Sequence, residues 1–278
     1  MRLSILLAAM GAALAAPGAL TAATTVQIRG AAARVVVIPQ ARSDVAVSIL
    51  HGSAKLPLKV RMFAGHVSII GDVRHRVRGC AAAGGHRGVE IRGRGVIPYD
   101  DLPKLLIRTP FDVRIFAGEA VFGDIGRSAS LELINQGCGG WTIANVAGHL
   151  RLDQAGSGQT RTGEAASADL SVAGSGSINT QAIHGPVSAV SSGSGDITAA
   201  SIEGPFDVRI AGSGVVRAKG GQVSTMTASI AGSGGVHFGG VAQSLRVSIA
   251  GSGGVSVARV TGAVSKRVFG SGKVSVGR

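Results

Sequence analysis

The tripeptide Gly-Ser-Gly begins at Gly156, Gly174, Gly193, Gly212, Gly232, Gly251 and Gly270, in steps of 18, 19, 19, 20, 19 and 19 residues. Two blurred copies, Gly137-Cys138-Gly139 and Gly118-Glu119-Ala120, extend the series upstream at a step of 19. A fixed period of about twenty residues marks a solenoid, in which each short unit buries its apolar face only by stacking on its neighbours.

Columns counted from the first Gly of each turn show what stacks. Four residues before it stand Leu133, Leu152, Leu170, Val208 and Val247; two before it stand Val172, Ile210, Ile230, Ile249 and Val268. Four after it stand Phe122, Trp141, Ile178, Ile197, Val216, Val236, Val255 and Val274; nine after it stand Val146, Ile183, Ile202, Val241 and Val260. Alternate residues of a strand share one face. Each unit therefore reads as a strand, a Gly-Ser-Gly corner, a second strand and a looser return. Equal columns meet only if successive coils stack in register, which makes the chain all-β, a parallel β-helix of about 19 residues per coil. At the inter-strand spacing, nine coils give a rod of roughly 40 Å. Gly at the corner opens backbone angles closed to other residues, and the Ser between can bond to nearby backbone. These glycines are structural turns.

Composition agrees. The 44 Gly and 3% aromatic residues leave the core to Val, Ile, Leu and Ala, and the 45% hydrophobic content is too high for a disordered Gly-rich chain. Upstream, Val35–Ile38, Val45–Leu50, Pro57–Met62 and His66–Ile70 are strand-like, so residues 24–117 are predicted to be a β-rich, basic cap or a set of irregular early coils, ahead of the repeat at 118–278. Residues 1–23 read as a signal peptide: Arg2, an apolar run Leu3–Leu14 too short to cross a bilayer, and small residues before a cleavage at Ala22 or Ala23. The expected mature protein is exported, periplasmic or extracellular, with no transmembrane segment.

The formal charge of +13 is uneven. Residues 24–117 carry 15 Lys/Arg against 6 Asp/Glu, and residues 118–278 carry 12 against 9. The excess concentrates at Arg74, Arg76, Arg78, Arg87, Arg92 and Arg94, and alternation across Arg74–Arg78 would set three arginines on one strand face. Guanidinium clusters suit oxyanions, so the candidate ligands are acidic polysaccharide or lipid headgroup phosphate. A solvated basic loop is the bland alternative. Nucleic acid is not expected, because export removes the usual partner and stacking aromatics are scarce.

The repeat offers Asp124, Glu132, Asp153, Glu164, Asp169, Asp196, Glu203 and Asp207, but their column offsets bring no two together in adjacent coils as glycosidic hydrolysis requires. His149, His184 and His237 fall at different offsets, so no metal site or cofactor is expected. Strands rather than helices follow the Gly-rich turns, which excludes a phosphate loop. Cys138 takes the Ser place of its turn and Cys80 lies in the basic segment. In an oxidising compartment they would pair, tying that segment to the rod; two free thiols or an intermolecular bond are the alternatives. Lys266, Arg267, Lys273 and Arg278 in the last coil read as charges that blunt its open strand edge.

The repeats Ala173-Gly174-Ser175-Gly176-Ser177-Ile178, Ser192-Gly193-Ser194-Gly195-Asp196-Ile197, Ala211-Gly212-Ser213-Gly214, Ala231-Gly232-Ser233-Gly234 and Ala250-Gly251-Ser252-Gly253 resemble those of the bacterial autotransporter adhesin head GIN domain family over roughly residues 100–278. The resemblance implies a right-handed β-helix, export to the envelope and a role in adhesion without known catalytic residues. The expected function is non-catalytic adhesion or ligand binding. The alternatives are a structural protein that self-assembles as a homo-oligomer and a polysaccharide-active enzyme of pectin-lyase type.

Overall fold

The computed structural model describes residues 25–63, 65–80, 82, 83 and 86–277; the expected export segment 1–23, Arg278 and the side chains of residues 82, 83, 86 and 87 lie outside the described residues. Coils of about 19 residues stack in parallel for about nine turns into a β-solenoid.

Every corner joins two faces. On the first, the strand before each Gly-Ser-Gly pairs with its equivalent one coil on, as Leu170↔Ala189, Val208↔Ala228 and Val247↔Lys266. On the second, the strand after the corner does the same, as Ile178↔Ile197 and Val236↔Val255. A third side stacks Val146, Ala165, Ile183 and Ile202. The inward residues of all three sides form one continuous core.

The corner geometry explains the glycines. Gly156, Gly174, Gly193, Gly212, Gly232, Gly251 and Gly270 all have φ between +113° and +131°. Each also lies against the carbonyl of the corner below; a methyl on Gly193 would stand 2.7 Å from the oxygen of Gly174. The serines between them face solvent, and among the described residues the only hydroxyl bond between successive corners is Ser252–Ser271, 3.1 Å.

The start of the rod departs from chain order. β1 (Thr25–Arg29) and β2 (Ala32–Pro39) pair in parallel with β11 (Asp112–Ile125) on one side. On the other side β1 pairs with β5 (His66–Ile70) and β2 with β10 (Lys104–Thr109). The first described coil is thus wedged between coils made by later residues. Two antiparallel strands close this end: β3 (Ala46–His51) on β10 and β4 (Lys59–Phe63) on β5. Val47, Leu58 and Val60 from this closure pack on the core.

Among the described residues nothing covers the opposite end. Val264, Val268 and Phe269 of the last coil are exposed, Phe269 by 71%. Lys266 occupies the inward position above Val247. A further coil stacked here would bury that ammonium.

Two inward positions differ from the sequence columns. The first blurred corner is Glu119 (φ 61°), level with Gly137, rather than Gly118. This one-residue shift puts Gly123 level with Trp141 and turns Phe122 outward. The 20-residue step before Gly232 likewise leaves Val241 half-buried beside Gln222 and puts Ala242 in the core.

Candidate functional site

Between β5 and β10 the chain leaves the corner and builds a small lobe. It contains β6 (Val77–Gly79), β7 (Ala82–Ala83), β8 (His86–Ile91) and β9 (Gly95–Pro98), then a 3-10 turn at Tyr99–Asp101. Val73, Val89, Ile91, Ile97 and Leu102 form a second core with Leu56, Ala32 and Ala120. Phe122, turned outward by the Glu119 corner, meets Tyr99 edge-on at 5.2 Å, and Arg34 lies over the Tyr99 ring.

The disulfide Cys80–Cys138 joins lobe and rod, with sulfurs 2.08 Å and α-carbons 5.5 Å apart. Closing its 58-residue separation removes unfolded-chain entropy equivalent to about 4 kcal/mol in the chain-entropy account.

The six arginines singled out by sequence all belong to this lobe, in different roles. Arg94 is structural: it forks onto both carboxylate oxygens of Asp72 and donates to the carbonyl of Lys55 at 2.6 Å. The hydrogen bond from Arg94 chiefly holds the Asp72 carboxyl below its ordinary range, against the opposing effect of its partial burial. Arg78 pairs with Glu90 at 3.4 Å. Arg74 and Arg76 lie in a turn around His75 (φ 57°), so the alternating strand expected over Arg74–Arg78 begins only at Val77. Positive φ at His75 breaks the period-2 pattern. The backbone N–H of Arg92 donates to the Arg76 carbonyl at 2.9 Å, which sets these two opposite each other. Arg74, Arg76 and Arg92 are exposed and bond to no carboxylate among the described residues. Arg87 lies in β8, its side chain outside the described residues.

Below the lobe, beside the disulfide, a cleft of about 550 Å³ opens against the second face. Tyr99, Phe122, Asp124, Thr142, Gln159 and Arg161 line it. Its volume is that of a small-ligand site. Sequence columns missed it because the lobe that walls it belongs to no repeat.

Most carboxylates of the repeat are held by neighbours one coil away or two residues along. Glu132 bonds Arg114, Asp153 meets Arg151 at 3.1 Å, and Asp207 meets Arg209. His184 sits between Glu164 and Glu203, and Asp196 accepts from the N–H of Val215 at 2.8 Å. His149 contacts Ser167 at 2.9 Å and Asp169 at 3.3 Å. The constellation resembles a triad, but His237 meets Ser256 at 2.7 Å in the same coil-to-coil way, so such contacts are ladder pairs. Among the described residues no group of three or more His, Cys, Asp or Glu is placed to hold a metal ion. No described helix is long and apolar enough to cross a membrane.

Polar side chains inside the rod were also not anticipated. Asn135 donates to the Gly139 carbonyl at 2.8 Å and to Gln154 at 3.0 Å, and Ser191 donates to the Gly195 carbonyl at 2.7 Å. Each sits two residues before a corner and clasps that corner's second glycine. The signal was present as interruptions in an apolar column.

The architecture has solved counterparts. A crystal structure of a "putative lipid binding protein" from Parabacteroides distasonis ATCC 8503 matches over 92% of each chain, with TM-score 0.53 and 17% identity. The likeness is one of fold. A "putative adhesin" from Bacteroides fragilis NCTC 9343 matches over 91% of each chain with TM-score 0.40 and 11% identity, too weak to bear on the argument. No family model matches the chain, and no curated protein does.

Proposed function

We propose that this is an exported, non-catalytic β-solenoid of the bacterial cell envelope that binds an anionic ligand through its basic lobe. The observation that carries this reading is the division among the lobe arginines. Arg78 and Arg94 pair with Glu90 and Asp72, whereas Arg74, Arg76 and Arg92 are exposed on one small projection without an ion-pair contact among the described residues, Arg76 feeling the Asp72 carboxylate only at longer range. Like charges gathered this way repel and lower stability, a cost that an oxyanion ligand offsets. The disulfide supports export, because such bonds persist in oxidising compartments.

The ligand chemistry is phosphate or carboxylate. A lipid headgroup supplies the first, and the lipid binding named for the P. distasonis structure makes it worth testing. An acidic polysaccharide supplies the second, and the cleft lined by Tyr99 and Arg161 beside the disulfide gives its sugar rings a place on the same lobe.

The test is retention on immobilised polygalacturonate and on phosphatidylglycerol-coated beads. The protein is expected to bind at low salt and elute as salt rises, and Arg74→Ala, Arg76→Ala, Arg92→Ala combined should sharply weaken retention on the bead that binds. Retention on neither support, or retention unchanged in the triple variant, overturns the reading.

A further inference from the structure

The capped end of the rod carries a second surface that the lobe does not explain. β4 is an edge strand, and alternation sends Lys59, Arg61 and Phe63 outward together. Phe63 is 81% exposed, the most open large apolar side chain among the described residues. Its cross-strand partners extend the patch: Lys59 lies opposite Ile70, which is itself exposed and sits beside Arg29 of β1. His66 lies opposite Phe63. Beyond Arg29 the corner Gly30 packs against Arg74, so the patch neighbours the lobe arginines, with the Glu119 carboxylate accepting from the Gly30 N–H at 2.7 Å at the junction. β1, β4 and β5 contain no Asp or Glu.

An exposed phenyl ring on a strand edge is a liability unless it has a partner. The charge around it selects the partner. A protein face complementary to Phe63 would need acidic groups opposite Lys59, Arg61 and Arg29. An anionic bilayer offers phosphates at its surface and hydrocarbon immediately beneath, which fits cations flanking an aromatic ring.

The geometry points to the outer face of β4, β5 and β1 as a docking surface for an anionic lipid bilayer, with Phe63 entering the interface and Lys59, Arg61 and Arg29 on the headgroups. This rests on the anion-binding reading of the lobe for part of its charge; the insertion of Phe63 is independent of it. The same sheet continues through β11 along the rod, so docking through its outer face would bring the side of the first coils to the membrane.

Co-sedimentation with vesicles tests it, using phosphatidylcholine alone and phosphatidylcholine mixed with phosphatidylglycerol. The protein is expected to sediment only with the mixed vesicles. Phe63→Ser should weaken partitioning about tenfold, the loss expected for one buried phenyl ring. Phe63→Trp should keep binding and shift its emission to the blue on mixed vesicles. The native Trp141 is buried in the core and gives the unchanged background.

Phe63 faces solvent, so these variants should fold as the parent does. Binding of Phe63→Ser equal to the parent, or Phe63→Trp emission that stays red on bound protein, overturns the insertion and leaves the lobe reading standing. Binding to polygalacturonate but to no vesicle overturns the bilayer as partner, again without touching the lobe. Equal binding to both vesicle types overturns the role of the cations.

Discussion

The indole of Trp141 lies over the bare α-carbon of Gly123, one coil below it on the second face. A methyl group on Gly123 would overlap ring atoms Cζ3 and Cε3. The only tryptophan in the chain therefore enters the core where the ladder residue beneath it has no side chain. Gly123→Ala should destabilise by about 1–3 kcal/mol, the cost of overpacking a filled core. Adding Trp141→Leu should recover much of that loss, because neighbours in contact are not additive. Thermal melts of the two single variants and the double variant measure it; additive losses would disprove the contact.

The corners are separable from other glycines. Gly193 combines φ +116° with the Gly174 carbonyl, so Gly193→Ala should cost about 2 kcal/mol or more. Gly220 has open space where a side chain would go and no positive φ, and Gly220→Ala should be neutral within about 0.5 kcal/mol. Denaturant midpoints of the two variants should differ in that order.

Breaking the disulfide should loosen the lobe before the rod. Cys138→Ser restores the serine of the other corners, so the rod itself loses nothing there. With Cys80→Ser as well, cleavage by a broad protease should begin within residues 72–103 and leave the repeat intact. Stability should fall by up to about 4 kcal/mol. A digestion pattern unchanged from the oxidised protein would show that the bond does not anchor the lobe.

Asp72 and Arg94 make part of the lobe pH-dependent. The folded carboxyl of Asp72 is depressed, first by the hydrogen bond from Arg94. Its contribution is therefore full above the ordinary Asp value of about 3.9 and is lost as pH falls through the lower folded value. Both side chains reach solvent, so the contribution is modest, about 1 kcal/mol or less. Asp72→Asn should lower stability at neutral pH and flatten its decline in acid. Unfolding curves across acidic pH check this.

Lys266 guards the open end. Lys266→Val would continue the ladder of Val208, Ala228 and Val247 and leave an apolar edge with unpaired backbone groups. Sedimentation velocity should then show concentration-dependent self-association absent from the parent.

Much of this was legible in the repeat. The corner glycines recur at almost constant steps, and period-2 alternation named the inward residues correctly for Leu133, Leu152, Ile178, Ile197 and most of their columns. Val268 is exposed because no described coil covers it, and two other misses share a different cause. Phe122 and Val241 were assigned inward by counting from the nearest Gly, and single-residue slips at Glu119 and in the 20-residue step send them outward or to the margin. A strand reverses its faces with every residue of slip. The same arithmetic failed at Arg74–Arg76, where a positive φ at His75 turns what reads as a strand into a corner.

The sequence by itself determined the coil, its corners, the apolar ladders and the pair of cysteines available to bond. These are local and periodic properties, and each repeat states them again. Only the tertiary structure decided that β1 and β2 lie between β5 and β10 on one side and β11 on the other, that the chain closes one end and leaves the other open, and which arginines remain unpaired. Those outcomes depend on contacts between segments tens of residues apart that appear once in the chain. Thr25–Ile28 pairs with His66–Ile69 and with Arg114–Ala117, Asp72 meets Arg94, and Cys80 meets Cys138. Periodicity carries no information about a contact that occurs once, and the surfaces proposed to bind are built from such contacts.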